Sequence, residues 1–424
     1  MDRTDERSGS EGTVAFEPGA KGLTGLVVKG LLLTAITFTI YRFWYVTELR
    51  RFLWSRTLIA GSPAEYLGRG KELFLGFLVA LAILVPLYVV LFILSIAVPV
   101  LAPAVPVLTA VFLFVLGQYA IFRGRRYRAS RTRWRGIRLG QDGSAAAYMV
   151  RASLWWLATI LTLGLAFPFM RAALERYRID HTLIGESRLR STATGRSVLW
   201  PWLAFYAVSL LPIVVAGLAF LGSVGFPPPA DLFVAHPNGQ TTALTLNPRY
   251  AGTAVGAALG WLITALSLAV PLVLLLIPFY RARETRAFLS ATHLGEARLV
   301  SRLKAREFYW PYFVYLLSLL VFVFVIGILF AIVAGVAGAN ANSGAQAAAL
   351  VGGGLLYVGT LLGLAVIYVR IVTHGLWVAV ANATMIENGA ALEAVLASAR
   401  TPGSGLNEGL ADALDVGGAL EIGL

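Results

Sequence analysis

The chain has 424 residues, of which 58% are hydrophobic and 13% charged, with a formal net charge of +13. A soluble globule carries about 25% charged residues, so a cytosolic globular enzyme is excluded, and the apolar excess points to a polytopic membrane protein. The chain contains no cysteine, which also excludes disulfides, thiolate catalysis and cysteine-ligated metals.

In chain order, residues 1–22 are polar and close to neutral, and they read as a disordered lead-in without a cleavable signal. A helix needs roughly 20 apolar residues to cross the hydrocarbon core. The segments that qualify are 23–45, 73–96, 98–121, 148–170, 199–222, 251–279, 309–336 and 346–370. The connections 46–72, 122–147, 171–198 and 280–307 are rich in arginine, whereas 226–250 carries only Asp231 and Arg249. The positive-inside rule places the arginine-rich stretches in the cytoplasm. The stretches 122–147 and 171–198 are both basic but are separated by a single apolar segment, so 148–170 is expected to be re-entrant or interfacial; the alternative is an eighth ordinary span. The expected architecture is therefore all-α: a polytopic transmembrane helical bundle of seven or eight spans, with the C-terminus in the cytoplasm.

The chain repeats itself. Residues 168–202 align without a gap to 278–312: Pro168-Phe169-Met170-Arg171-Ala172 matches Pro278-Phe279-Tyr280-Arg281-Ala282, and Gly185-Glu186-Ser187-Arg188-Leu189 matches Gly295-Glu296-Ala297-Arg298-Leu299. Thr34, Thr37 and Thr57-Leu58-Ile59 match Thr159, Thr162 and Thr182-Leu183-Ile184. Looser copies run from Arg126-Tyr127 to Thr132 and around Asn382-Ala383-Thr384. The repeated unit is an apolar segment, an arginine-bearing helix, a short Thr-x-x-Gly turn and a second apolar segment. Three membrane units result, 23–147, 148–250 and 251–385, followed by an acidic tail, 386–424, that is expected to dock on the basic face.

Leu31-Leu32-Leu33-Thr34-Ala35-Ile36-Thr37-Phe38-Thr39-Ile40-Tyr41-Arg42-Phe43-Trp44 resembles a signature of the YjgN family of bacterial inner-membrane proteins. Glu65-Tyr66-Leu67-Gly68-Arg69-Gly70-Lys71-Glu72-Leu73-Phe74, Ser130-Arg131-Thr132-Arg133-Trp134-Arg135-Gly136-Ile137-Arg138 and the Ala411-Asp412-Ala413-Leu414-Asp415 tail extend the resemblance over nearly the whole chain. The second unit departs from the signature, with Ala166-Phe167-Pro168-Phe169 in place of Tyr-Arg-Phe-Trp. The resemblance implies a bacterial inner-membrane protein and brings no activity with it.

The middles of the spans hold no Asp or Glu, which argues against a carboxylate proton relay. No catalytic residue, cofactor or metal site is expected, and Gly70-Lys71 lacks the spacing of a phosphate loop. Asp180-His181 has no nucleophile in a known motif to serve. Two groups of residues remain as candidates. The first is a lipid-facing belt of Arg125, Arg126, Tyr127, Arg131, Arg133 and Trp134, suited to anionic headgroups rather than nucleic acid. The second is the set of repeat threonines, Thr34, Thr37, Thr57, Thr159, Thr162, Thr182 and Thr292, which read as packing groups or intramembrane polar sites. Gly252, Gly256 and Gly260 recur every four residues and allow close helix approach, within the chain or between two copies of it. The leading functional expectation is transport of a small solute; the alternative is a membrane-organising protein that binds anionic lipid.

Overall fold

The computed structural model describes residues 12–17, 21–98, 100, 102–238, 241–339 and 343–395. Its organising element is a closed barrel of ten short antiparallel strands, in the order β1-β12-β11-β10-β7-β6-β5-β4-β3-β2. The strands are β1 (Gly12–Phe16), β2 (Thr57–Ile59), β3 (Ser62–Tyr66), β4 (Thr132–Trp134), β5 (Ile137–Gln141), β6 (Thr182–Ile184), β7 (Ser187–Ser191), β10 (Thr292–Leu294), β11 (Ala297–Ser301) and β12 (Thr384–Glu387). The remaining two, β8 (Phe233–Asn238) and β9 (Thr241–Leu246), form a separate hairpin.

The barrel is built from the repeats. Each threonine-to-glycine repeat is a β-hairpin with positive φ in its two-residue loop: at Ala60 and Gly61, at Arg135 and Gly136, at Gly185 and at Gly295. Positive φ at the loop is what tight hairpins require, and glycine supplies it at little cost. Between successive hairpins the chain makes a helical excursion and returns. Helices α1 (Leu23–Ile36) and α2 (Arg42–Ser55) connect β1 to β2. Helices α3 (Gly70–Ala97) and α4 (Ala104–Ser130) connect β3 to β4, and α5 (Ala145–Leu161) and α6 (Phe167–Asp180) connect β5 to β6. The fourth excursion holds α7 (Gly195–Ser209), α8 (Leu211–Val224), the β8–β9 hairpin, α9 (Pro248–Ala251) and α10 (Ala254–Leu289). The fifth holds α11 (Ala305–Ala339), α12 (Ser343–Tyr368), a π-helical turn (Val369–Thr373) and α13 (His374–Asn382). Neighbouring helices pack in chain order, and α1 closes the ring against α12.

This architecture overturns the all-α expectation of seven or eight spans. Strands of three to five residues are too short to show an alternating pattern against flanking helices. Among the described residues, five helices are long and apolar enough to cross a membrane; a sixth span results if α7 and α8, bent by 51°, count as one. The chain is thus a membrane protein with fewer spans than expected. The difference lies in 23–45 and, against the alternative of an eighth ordinary span, in 148–170. Each excursion begins and ends in the same barrel, so each returns to the side it left. With 14 residues, α1 is about 21 Å long, short of the roughly 30 Å hydrocarbon core. The first and third excursions are therefore short helical hairpins that do not cross.

The repeat threonines explain their tips. Thr37 Oγ1 donates to the Leu33 carbonyl at 2.6 Å and accepts from the Tyr41 N–H at 2.9 Å. Thr162 does the same with Ala158 at 2.8 Å and Ala166 at 3.0 Å. Each threonine thereby ends one helix and starts the next, and positive φ at Phe38 and Thr39, and at Leu163 and Gly164, turns the chain.

The two chain ends also differ from expectation. Within the expected disordered lead-in, Gly12–Phe16 is β1, which closes the barrel by pairing Val14 with Ile59 and Thr13 with Met385. The start of the acidic tail continues from β12 into a 3-10 turn, Gly389–Ala394, against β11. The proposed docking of the tail falls on 396–424, outside the described residues.

Candidate functional site: the barrel lumen

Each of the four hairpins, and β12, starts with a threonine two or three residues after the end of a helix. The five hydroxyls donate back to the helix: Thr57 to Leu53 O at 2.8 Å, Thr132 to Arg128 O at 2.9 Å, Thr182 to Arg178 O at 2.8 Å, Thr292 to Phe288 O at 3.0 Å and Thr384 to Val380 O at 2.7 Å. Each hydroxyl gives a donor to a carbonyl of the last helical turn, so helix and strand join without a solvated loop. Across the barrel these threonines pair with Phe16, Tyr66, Gln141, Ser191 and Ser301.

Two residues further into the barrel the side chains become apolar. Five cross-strand pairs, Val14–Ile59, Ala64–Trp134, Leu139–Ile184, Leu189–Leu294 and Leu299–Ile386, form a collar around the lumen. On the helix side the lumen is bounded by the last helical turns, through Trp54, Ala129, Ile179, Leu289 and Ala381. The two indoles Trp54 and Trp377 lie 4.9 Å apart, and their N–H groups donate to Thr132 Oγ1 at 3.1 Å and Thr57 Oγ1 at 2.9 Å. Leu392 of the 3-10 turn also lines the lumen. The cavity measures about 150 Å³.

The outer surface of the barrel takes the arginines, because strand residues alternate in facing. Arg188 pairs with Asp142, and Arg133 stands across from Glu65. Arg135 donates to Ser62 Oγ and the Ala60 carbonyl, both at 3.0 Å.

Charged side chains are also buried where the helices meet the barrel. Glu284 of α10 accepts from Arg171 of α6 at 2.7 and 3.2 Å, from Arg281 at 3.0 Å and from the Tyr280 hydroxyl at 3.0 Å. Arg50, Arg125, Arg128, Glu175 and Arg178 are buried as well, with Arg178 Nη2 bonded to Glu175 at 2.5 Å. Among the described residues no group of three or more His, Asp or Glu side chains converges on a metal-sized site.

The structure distributes the six belt residues over different environments. Tyr127 is fully buried and donates to Glu72 at 2.9 Å. Arg131 binds the same carboxylate at 3.0 Å; burial works against its charge, but Glu72 more than offsets this and raises its pKa. Arg125 is buried in the last turns of α4, and Arg126 donates to the Gly143 carbonyl. Trp134 points into the lumen and donates to Ile59 O at 3.0 Å. Arg133 alone of the six sits on the outer face of a strand, between the buried Thr132 and Trp134. Of the repeat threonines, Thr57, Thr182 and Thr292 belong to the ring at the helix ends. Thr34, Thr37, Thr159 and Thr162 mark the tips of the short hairpins. Gly256 packs under the Ala251 carbonyl, whereas a Cβ at Gly252 or Gly260 would meet nothing within 4 Å. Asp180 accepts from the Ser191 N–H at 2.8 Å and His181 Nδ1 sits 2.8 Å from Tyr177 O, so both serve the local fold.

The lumen residues Trp54 and Trp377 and the aliphatic collar are not singled out by composition or motif. For Trp54 and the collar the signal is positional: Trp54, Ala129, Ile179, Leu289 and Ala381 each stand three residues before a strand threonine, and Ile59, Trp134, Ile184, Leu294 and Ile386 two residues after it.

No curated protein and no solved structure matches this chain. The family described as bacterial protein of unknown function (DUF898) matches residues 11–413, nearly the whole length, and the chain belongs to this family, the YjgN family.

Proposed function

We propose that this chain is a multi-pass protein of the bacterial inner membrane whose barrel, on the cytoplasmic side, takes up a small apolar ligand. The observation that carries the reading is the closed collar of ten side chains around a cavity of about 150 Å³. An apolar cavity of that size stays dry and accepts a benzene-sized molecule. The orientation is supported by charge. The arginine-rich stretches lie on the barrel side, whereas the far connection 226–250 carries one arginine and one aspartate. Transport, the broader expectation, fits this lumen only for an apolar solute. To a polar one the collar offers hydrocarbon and an indole N–H already bonded to Ile59.

The test is toluene binding by the purified protein in phosphatidylcholine nanodiscs, followed by saturation-transfer NMR with empty nanodiscs subtracted. Toluene is expected to bind the wild type, and Ala64→Phe, which fills the lumen opposite Trp134, is expected to weaken binding at least tenfold while the melting temperature is retained. Equal binding by the two proteins would overturn the reading.

A further inference from the structure

Two of the five helical excursions stop short of a span, yet their tips expose large apolar side chains. At the α1–α2 tip these are Ile36, Phe38 and Ile40, with Phe38 90% exposed. At the α5–α6 tip they are Ile160, Leu161, Leu163 and Leu165. No residue between Lys29 and Arg42, or between Arg151 and Arg171, is charged. The backbone of both tips is closed on itself. Every N–H from Thr37 to Arg42 is bonded within the hairpin, that of Tyr41 to the Thr37 hydroxyl and the others to carbonyls of residues 33–39. Every N–H from Thr162 to Phe167 is bonded in the same pattern, with Ala166 on the Thr162 hydroxyl. The Trp202 indole also donates to the Gly164 carbonyl at 3.1 Å. A turn in water has no need of such closure, whereas hydrocarbon admits only a backbone that is satisfied internally.

The hairpins also stand among the spans: α1–α2 packs between α12 and α3, and α5–α6 between α4 and α7. Their lengths fit a single leaflet. From Arg151 to Leu161 α5 rises about 15 Å, and from Lys29 to Ile36 α1 rises about 10 Å, against about 15 Å for half of the hydrocarbon core. We infer that the two short hairpins insert their apolar tips into the hydrocarbon of the leaflet nearer the barrel and end within it, so that the partner of this surface is lipid. They displace acyl chains in that leaflet alone, and lipids of the opposite leaflet lie over the tips. Arg42 begins α2 directly after the first tip and keeps that tip near the headgroups. The charge that follows the second tip, Arg171, is bonded to the buried Glu284, so the second tip goes deeper. The insertion is independent of any ligand in the lumen.

The experiment measures depth. The chain has no cysteine, so Phe38→Cys and Leu163→Cys each place a single environment-sensitive fluorophore on a tip of the full-length protein in phosphatidylcholine nanodiscs. Glu186→Cys, in an exposed hairpin loop of the barrel, is the reference for water, and Phe324→Cys, near the middle of α11, the reference for a span. Iodide is expected to quench both tips at least threefold less than Glu186→Cys. A nitroxide on the lipid chain close to the headgroup is expected to quench them at least threefold more than Glu186→Cys, and more than a nitroxide at the chain end does. The chain-end nitroxide is expected to dominate at Phe324→Cys. Iodide quenching of the tips equal to that of Glu186→Cys would put them in water and overturn the inference. Quenching by neither iodide nor nitroxide would put protein over the tips, a second copy included, and overturn it as well. Chain-end quenching as dominant as at Phe324→Cys would carry the hairpins to the bilayer centre and overturn their confinement to one leaflet.

Discussion

The barrel with its helix ends and the membrane spans are built on opposite terms. In the barrel, side chains pack against the protein itself: Phe122, Tyr127, Val198 and Val372 are fully buried, and hydroxyls, indoles and guanidinium groups are bonded to named partners. In the spans, between 0% and 22% of each most apolar window is buried within the chain. Lipid tails are as apolar as leucine, so the spans gain little by packing on one another. The comparison teaches that the fold of this protein is decided at the level of the barrel, and that the spans follow from where the hairpins release them.

The largest effect that tests this contrast is expected at Glu284. Its carboxylate joins α6 to α10 and takes three side-chain partners, of which Arg171 binds through two atoms. Glu284→Leu leaves the Arg171 guanidinium buried without that carboxylate, and breaking a buried pair from one side costs about 3–5 kcal/mol. A loss of that order should appear in SDS-titration unfolding. The double variant Glu284→Leu with Arg171→Met should recover part of it, because the uncompensated charge is then gone. A single variant as stable as the wild type would show that the junction of helices and barrel does not govern stability.

Much of this was legible in the sequence, but in disguise. The repeats at Thr182 and Thr292 are visible as Thr-x-x-Gly turns and those at Thr57 and Thr132 as looser copies with one residue more before the glycine, and the glycine falls in the loop of each hairpin. The strands were not legible. In Ser187-Arg188-Leu189-Arg190-Ser191 the alternation of outward arginine and inward leucine is present, yet five residues dense in arginine read as a basic linker. Gly12–Phe16 carries no local sign of its role, because its partners, β2 and β12, stand far along the chain. The candidate site was less legible still. Trp134 and Tyr127 look like interface aromatics from composition, and only the closure of the barrel turns one of them into the lumen and buries the other.

A smaller effect sharpens the comparison, because the same hydrogen bond occurs in both regions. Thr182 Oγ1 donates to Arg178 O at 2.8 Å and the residue is 2% exposed; Thr264 Oγ1 donates to Gly260 O at 2.9 Å on an exposed face of α10. Thr182→Val keeps the shape and leaves a carbonyl at a helix end without its donor. A loss of about 1 kcal/mol is expected. At Thr264 the carbonyl remains within a continuous helix, and the valine faces lipid, so Thr264→Val should change stability by less than about 0.5 kcal/mol. Equal losses at the two sites would mean that the hydroxyl matters for the helix alone and not for the joint between helix and strand.

The smallest effect is expected where the side chain is largest. Phe324 in α11 is 70% exposed, in a span whose most apolar window has no residue buried within the chain. A phenylalanine truncated to alanine in a packed core costs about 3–5 kcal/mol, because the hole left behind is not refilled. On the face of α11 no hole forms, since lipid or detergent moves into the vacated volume. The ring is also in contact with hydrocarbon both before and after unfolding within the membrane, so its transfer energy cancels. Phe324→Ala should therefore lie within about 0.5 kcal/mol of the wild type in SDS titration. A loss of core size would show that another surface covers this face in the membrane, and cross-linking through a cysteine introduced at Phe324, in a chain that has no cysteine of its own, would then reveal whether that surface is a second copy.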